Sequence, residues 1–227
     1  MGEASTVVIP IFGILDVTGE VIGMWILLAA VALVSWLATR HLKDRPGKFQ
    51  NVIEMGVEYL DNYFCNLLGH ERGRKHLLFL GSLFIFIIFS NYSGLIPGVG
   101  LTDWWKAPTS SLSVTVALGI VTFFYLQGSS IKAHGFLGYL KRFISPIVIM
   151  LPLLVLDEFI KPASLALRLF GNIFGEETVT EQLYELLPIG APIVMMVLSL
   201  LFCALQAIVF TTLVAIYLQE ATEIEEH

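Results

Sequence analysis

Asp157, Lys161, Ser164, Arg168, Asn172 and Glu176 follow one another at intervals of three or four residues through an otherwise apolar run. That spacing sets side chains on one face of an α-helix, so a polar stripe is expected along an oily rod. A guanidinium stays protonated at any physiological pH, so Arg168 cannot relay a proton. It can serve as a fixed positive charge that favours the ionised form of any carboxylate brought close to it, driving off a bound proton or sodium ion. Asp157 and Lys161, four residues apart, can pair with each other, and no acidic residue of the chain is an obvious partner for Arg168. Arg168 must then be satisfied by another protein or line a water-filled cavity. Roughly nine or more residues separate it from either end of its run, which is farther than a side chain can snorkel.

Glu176 and Glu177 come about two turns later. They read as an access site for a proton or sodium ion on the non-cytoplasmic side, wetted through a cavity. Adjacent helical residues diverge by about 100°, so only one of the pair faces the stripe. A fainter stripe, Ser199, Cys203 and Gln206, follows in the next apolar run. The Gln206 amide can hydrogen-bond a guanidinium across a helix pair without neutralising it. Ser199 and Cys203 read as small polar packing residues between membrane helices, with Ser199 a supporting member of the stripe.

The elements that would position these groups follow from composition. Hydrophobic residues make up 56% of the 227, charged residues only 14%, and the net charge is −6. So few charges do not cover a water-soluble surface, and several runs reach the ~20 apolar residues that span a bilayer as a helix. The runs are continuous, without the alternation of barrel strands. The expected fold is an all-α integral membrane protein: about five transmembrane helices and one amphipathic interfacial helix, as a single domain.

Residues 1–20 form an extracytoplasmic N-terminus and 21–38 the first span, which has no basic leader before it and reads as retained. Residues 49–68 alternate apolar and polar groups at helical period, as in a helix lying along the interface. The next spans are 76–97 and 112–127. Two long helices, 146–181 and 192–219, are joined by a turn containing Pro188, Gly190 and Pro192, and 220–227 form an acidic tail. With the N-terminus outside, ten of the cationic residues, from Arg40 to Arg142, fall on the cytoplasmic side and Lys106 alone falls outside, which sets the orientation and leaves the C-terminus cytoplasmic. Cys65 and Cys203, the only cysteines, read as small apolar side chains. No metal cluster, cofactor motif or nucleic-acid partner is expected.

The run from Lys161-Pro162 through Ser164-Leu165 and Leu167-Arg168-Leu169-Phe170-Gly171-Asn172, followed by Glu177, resembles the signature of subunit a of the F-type ATP synthase. The likeness continues in Asn91 to Pro97, Pro108-Thr109, Leu205-Gln206-Ala207 and Tyr217-Leu218, and so covers about residue 76 to the end. It implies a stator subunit whose last two helices form a long tilted hairpin against a rotating c-subunit ring. Arg168 then corresponds to the family's essential arginine, which separates two offset aqueous half-channels and displaces the ion from each passing ring carboxylate. Glu177 corresponds to the half-channel glutamate, Asn172 and Gln206 to polar neighbours of the arginine, and Ser164 to the serine one turn before it. Ser199 stands where some bacterial members carry histidine, so no relay through that position is implied. The implied partners are the c-ring, the b subunits of the peripheral stalk, the rest of the synthase and the lipid bilayer. The implied location is a bacterial plasma membrane or a plastid or cyanobacterial thylakoid-type membrane. The chain has no nucleotide-binding glycine loop, so ATP chemistry is expected in partner subunits and no catalytic site here. A different reading is a stand-alone secondary transporter in which Arg168 binds an anion. A duller one is a purely structural membrane subunit.

Overall fold

The computed structural model describes residues 7–11, 15–40, 47–95, 107–144, 151–186 and 190–223. Two short strands, β1 (Val7–Ile11) and β2 (Leu15–Thr18), pair antiparallel with an irregularity between Val7 and Ile9. The all-α expectation missed this hairpin, whose β-branched residues suit a pleated ribbon. Every other described element is helical: α1 (Gly19–Thr39), α2 (Lys48–Leu68), α3 (His70–Ser93), a 3-10 turn (Pro108–Ser110), α4 (Leu112–Ile144), α5 (Leu151–Leu186) and α6 (Ala191–Thr222). The linkers at 41–46, 96–106, 145–150 and 187–189 and the tail 224–227 lie outside the described residues.

Among the described residues, three helical stretches are long and apolar enough to cross a bilayer: His70–Ser93, Leu112–Leu140 and Val194–Thr222. α5 has the length, 36 residues, but its charged stripe dilutes its hydropathy; α1 contributes the shorter apolar run Gly23–Leu37. α1 turns Trp25, Ile26, Leu33, Val34 and Trp36 outward, a surface suited to lipid.

α2 behaves as a two-sided helix. Phe64 and Leu68 join Leu80, Leu83 and Ile87 of α3 in the core, while Phe49, Val52, Met55 and Tyr59 stay exposed. Tyr63 of α2 hydrogen-bonds Thr212 of α6 at 2.7 Å, tying the amphipathic helix to the long apolar one. α4 continues well past Gln127 and bends at Gly135, whose φ of +72° is the left-handed conformation that glycine adopts without strain. On the inner face of α5, Leu165, Ala166, Leu169 and Ile173 are buried at helical spacing. α4 meets that face almost backbone to backbone. A Cβ on Gly119 would stand 3.0 Å from the Pro162 carbonyl oxygen and 3.2 Å from the Ala166 methyl.

Candidate functional site

α5 and α6 run antiparallel, pinned at one end by Lys161. Its ammonium lies 2.8 Å from Glu220 of α6 and 3.1 Å from Asp157 one turn back, over the Tyr217 ring at 5.5 Å. The four-residue pairing of Asp157 with Lys161 is thus formed, and α6 adds a second carboxylate that sequence spacing could not reveal. Nearer the other end, the Cys203 thiol lies within electrostatic range of both Glu176 and Glu177.

Between these points the stripe does not keep to one face. A helix gains about 40° beyond a full turn with every four-residue step, so Arg168 and Glu176 end roughly 80° apart. Ser164 and Arg168 are exposed on the outer side of α5, together with Leu167, Gly171 and Phe174. Arg168 makes no hydrogen bond or ion pair among the described residues. Asn172 and Glu176 are half-buried, and Glu176 is close enough to Cys203 of α6 for the two to interact electrostatically. Glu177 is also half-buried and engaged in an interaction of its own. On α6, Ser199, Cys203 and Gln206 are all buried.

Four buried polar atoms make no hydrogen bond among the described residues: Ser90 Oγ, Asn172 Nδ2, Glu176 Oε2 and Gln206 Nε2. Three of them belong to residues singled out from the sequence. A buried donor or acceptor left without a partner costs about 1–3 kcal/mol, so these four atoms do not themselves stabilise the fold.

Sequence spacing did not find the α3 side of this region. Asn91, 2% exposed, donates from Nδ2 to the Cys203 carbonyl at 3.3 Å and accepts from Thr109 Oγ1 at 2.8 Å. Tyr92 Oη donates to the Leu200 carbonyl at 3.3 Å. At the Lys161 end, Gln127 bridges Tyr139 Oη (2.7 Å) and Glu158 (2.9 Å), and His134 Nε2 meets the Glu223 carbonyl at 3.0 Å. No group of His, Cys, Asp and Glu among the described residues could hold a metal ion.

The profile of the ATP synthase A chain family matches residues 21–219, which includes every helix named above except the first two residues of α1 and the last three of α6. The chain belongs to this family. Among curated relatives of the family, ATP synthase subunit a of Moorella thermoacetica is 37% identical over 206 residues, 91% of each chain. The chloroplastic subunit a of Oedogonium cardiacum is 38% identical over 207 residues, 89% of this chain and 81% of its own. That of Stigeoclonium helveticum is 37% identical over 213 residues, 92% and 86% respectively. A membrane subunit of an ATP synthase accounts for the apolar helices.

Proposed function

We propose that this chain is the ion-translocating stator subunit of a rotary ATP synthase. It spans the membrane five times, N-terminus outside and C-terminus in the cytoplasm, with α5 and α6 as a tilted hairpin against the c-ring and the b subunits as stalk partners. The observation that carries this reading is the outward exposure of Arg168, a permanent cation on an apolar helix with no partner among the described residues. A charge in that setting costs about 2.5–3.5 kcal/mol on insertion scales, and a carboxylate on a neighbouring rotor would offset it. A stand-alone transporter would want the same side chain turned into a cavity of its own chain.

Two half-channels meet the ring on either side of Arg168. The non-cytoplasmic one runs through the α5–α6 seam past Glu176, Glu177, Asn172 and Gln206; the cytoplasmic one opens beside Ser164 and the Asp157–Lys161 end. Ser199 borders the first without relaying protons. Each ring carboxylate that reaches Arg168 loses its proton, or sodium ion, because the guanidinium stabilises the anion. The same fixed charge keeps an ion from passing directly between the channels. Moving one charge through 100 mV yields about 2.3 kcal/mol, comparable with the cost of ionising a carboxyl in the bilayer, so each step is nearly level.

The test is ATP-driven ion pumping by the whole complex in inverted membrane vesicles. Arg168→Ala is expected to abolish pumping while the complex still assembles; coupled pumping at the normal rate by that variant rules the role out.

A further inference from the structure

We infer that Asn91, oriented by Thr109, is a positioning residue that holds the Cys203–Gln206 turn of α6 at the level of Glu176 and Glu177. This rests on the reading of the α5–α6 seam as an ion path. Asn91 sits near the C-terminal end of α3 and Thr109 in the 3-10 turn before α4, and both are buried, at 2% and 0% exposure. The amide can face only one way. Reversing it would set Oδ1 against the Cys203 carbonyl, two acceptors in contact, whereas the observed orientation lets Thr109 donate to Oδ1 and Nδ2 donate to α6.

The target of Nδ2 is a main-chain oxygen. In a helix the Cys203 carbonyl already accepts from the residue four positions on, and its second lone pair takes the Asn91 bond. A tie to backbone fixes height and rotation of the helix itself, whatever side chains it carries. Tyr92 adds a tie to the Leu200 carbonyl one turn earlier, so consecutive residues of α3 grip successive turns of α6.

What this grip sets is the seam. The Cys203 thiol lies within electrostatic range of Glu176 and Glu177, and Gln206, one turn further along α6, has a buried Nε2 with no hydrogen bond among the described residues. A shift of α6 by one residue would turn these groups by about 100° and move them ~1.5 Å along the axis. Glu176 would then face different side chains. The Asn91 side chain hydrogen-bonds Thr109 and the Cys203 carbonyl and none of the proposed ion-carrying groups among the described residues, so its effect acts through α6.

The experiment measures ATP-driven pumping in inverted vesicles, per assembled complex, for Asn91→Ala, Thr109→Val, Thr109→Ser, the double variant Asn91→Ala/Thr109→Val, and Arg168→Ala. Thr109→Val keeps the shape but removes the donor, and both it and Asn91→Ala are expected to lower pumping roughly tenfold. Thr109→Ser, which keeps the hydroxyl, is expected to stay within about twofold of the parent. The double variant is expected to be no worse than Asn91→Ala alone, because both changes break one tie. Normal pumping by Thr109→Val, additive losses, or failure of Thr109→Val to assemble would each overturn the positioning role. Pumping retained by Arg168→Ala would instead overturn the reading of the seam on which it rests.

Discussion

Gln206 is 7% exposed and its Nε2 finds no acceptor among the described residues, an arrangement that a helix selected only for packing would lose. Replacement by an apolar residue of similar length removes a donor that costs about 1–3 kcal/mol to bury. Gln206→Met is therefore expected to leave the melting temperature of the detergent-solubilised complex unchanged or a few degrees higher, while pumping falls severalfold. A clear drop in thermal stability would show that the amide is structural. Residue types on the stripe were legible from sequence because charge inside an apolar helix is conspicuous. Their surroundings were not. The periodic reading put Arg168 and Glu176 on one face, yet the accumulated offset of four-residue steps leaves the first exposed and turns the second toward α6. Cys203 read as packing, and it is buried, within electrostatic range of both glutamates.

The helices themselves were legible from their apolar runs, and their ends less so. The third apolar run weakens after Gln127, where Gly128, Ser129, Ser130 and Lys132 follow, but the helix continues through them to a break at Gly135, beyond which a second helical stretch reaches Ile144. What joins the helices was not legible, because Lys161 and Glu220 lie 59 residues apart and Asn91 and Cys203 lie 112 apart, far beyond helical spacing. Two predictions belong at this scale. Gly119→Val drives a branched side chain into the Pro162 carbonyl and the Ala166 methyl, and is expected to destabilise the α4–α5 contact by about 1–3 kcal/mol, read as a lower melting temperature of the purified complex. Lys161→Glu leaves three carboxylates together where α5 meets the C-terminal end of α6, with Asp157 and Glu220 each about half exposed. It is expected to reduce assembled complex in membranes, and Glu220→Lys in the same chain is expected to restore much of the loss. Absence of rescue would mean that the ion pair does not hold α5 to α6.

For the whole molecule, the distribution of positive charge makes a prediction about sidedness that is independent of any single contact. Lys132 belongs with the cationic set expected in the cytoplasm and Lys106 on the opposite face. Single cysteines at these positions, in a chain whose own Cys65 and Cys203 have been replaced, are expected to react with a membrane-impermeant maleimide from opposite sides of sealed vesicles. Labelling of both from one side would break the five-span arrangement.

The glycine opposite Pro162 and Ala166 has a mechanical consequence. Arg168 projects from one side of α5, and on its inner side, within a turn or so, the helix rests against the main chain of α4 with no long side chain in between. A sideways push delivered at the guanidinium would meet a backstop that gives little at Gly119, where the Pro162 carbonyl and the Ala166 methyl leave no room for closer approach. Recoil from a turning neighbour would thus pass into the rest of the subunit with little sway of the charge that provokes it.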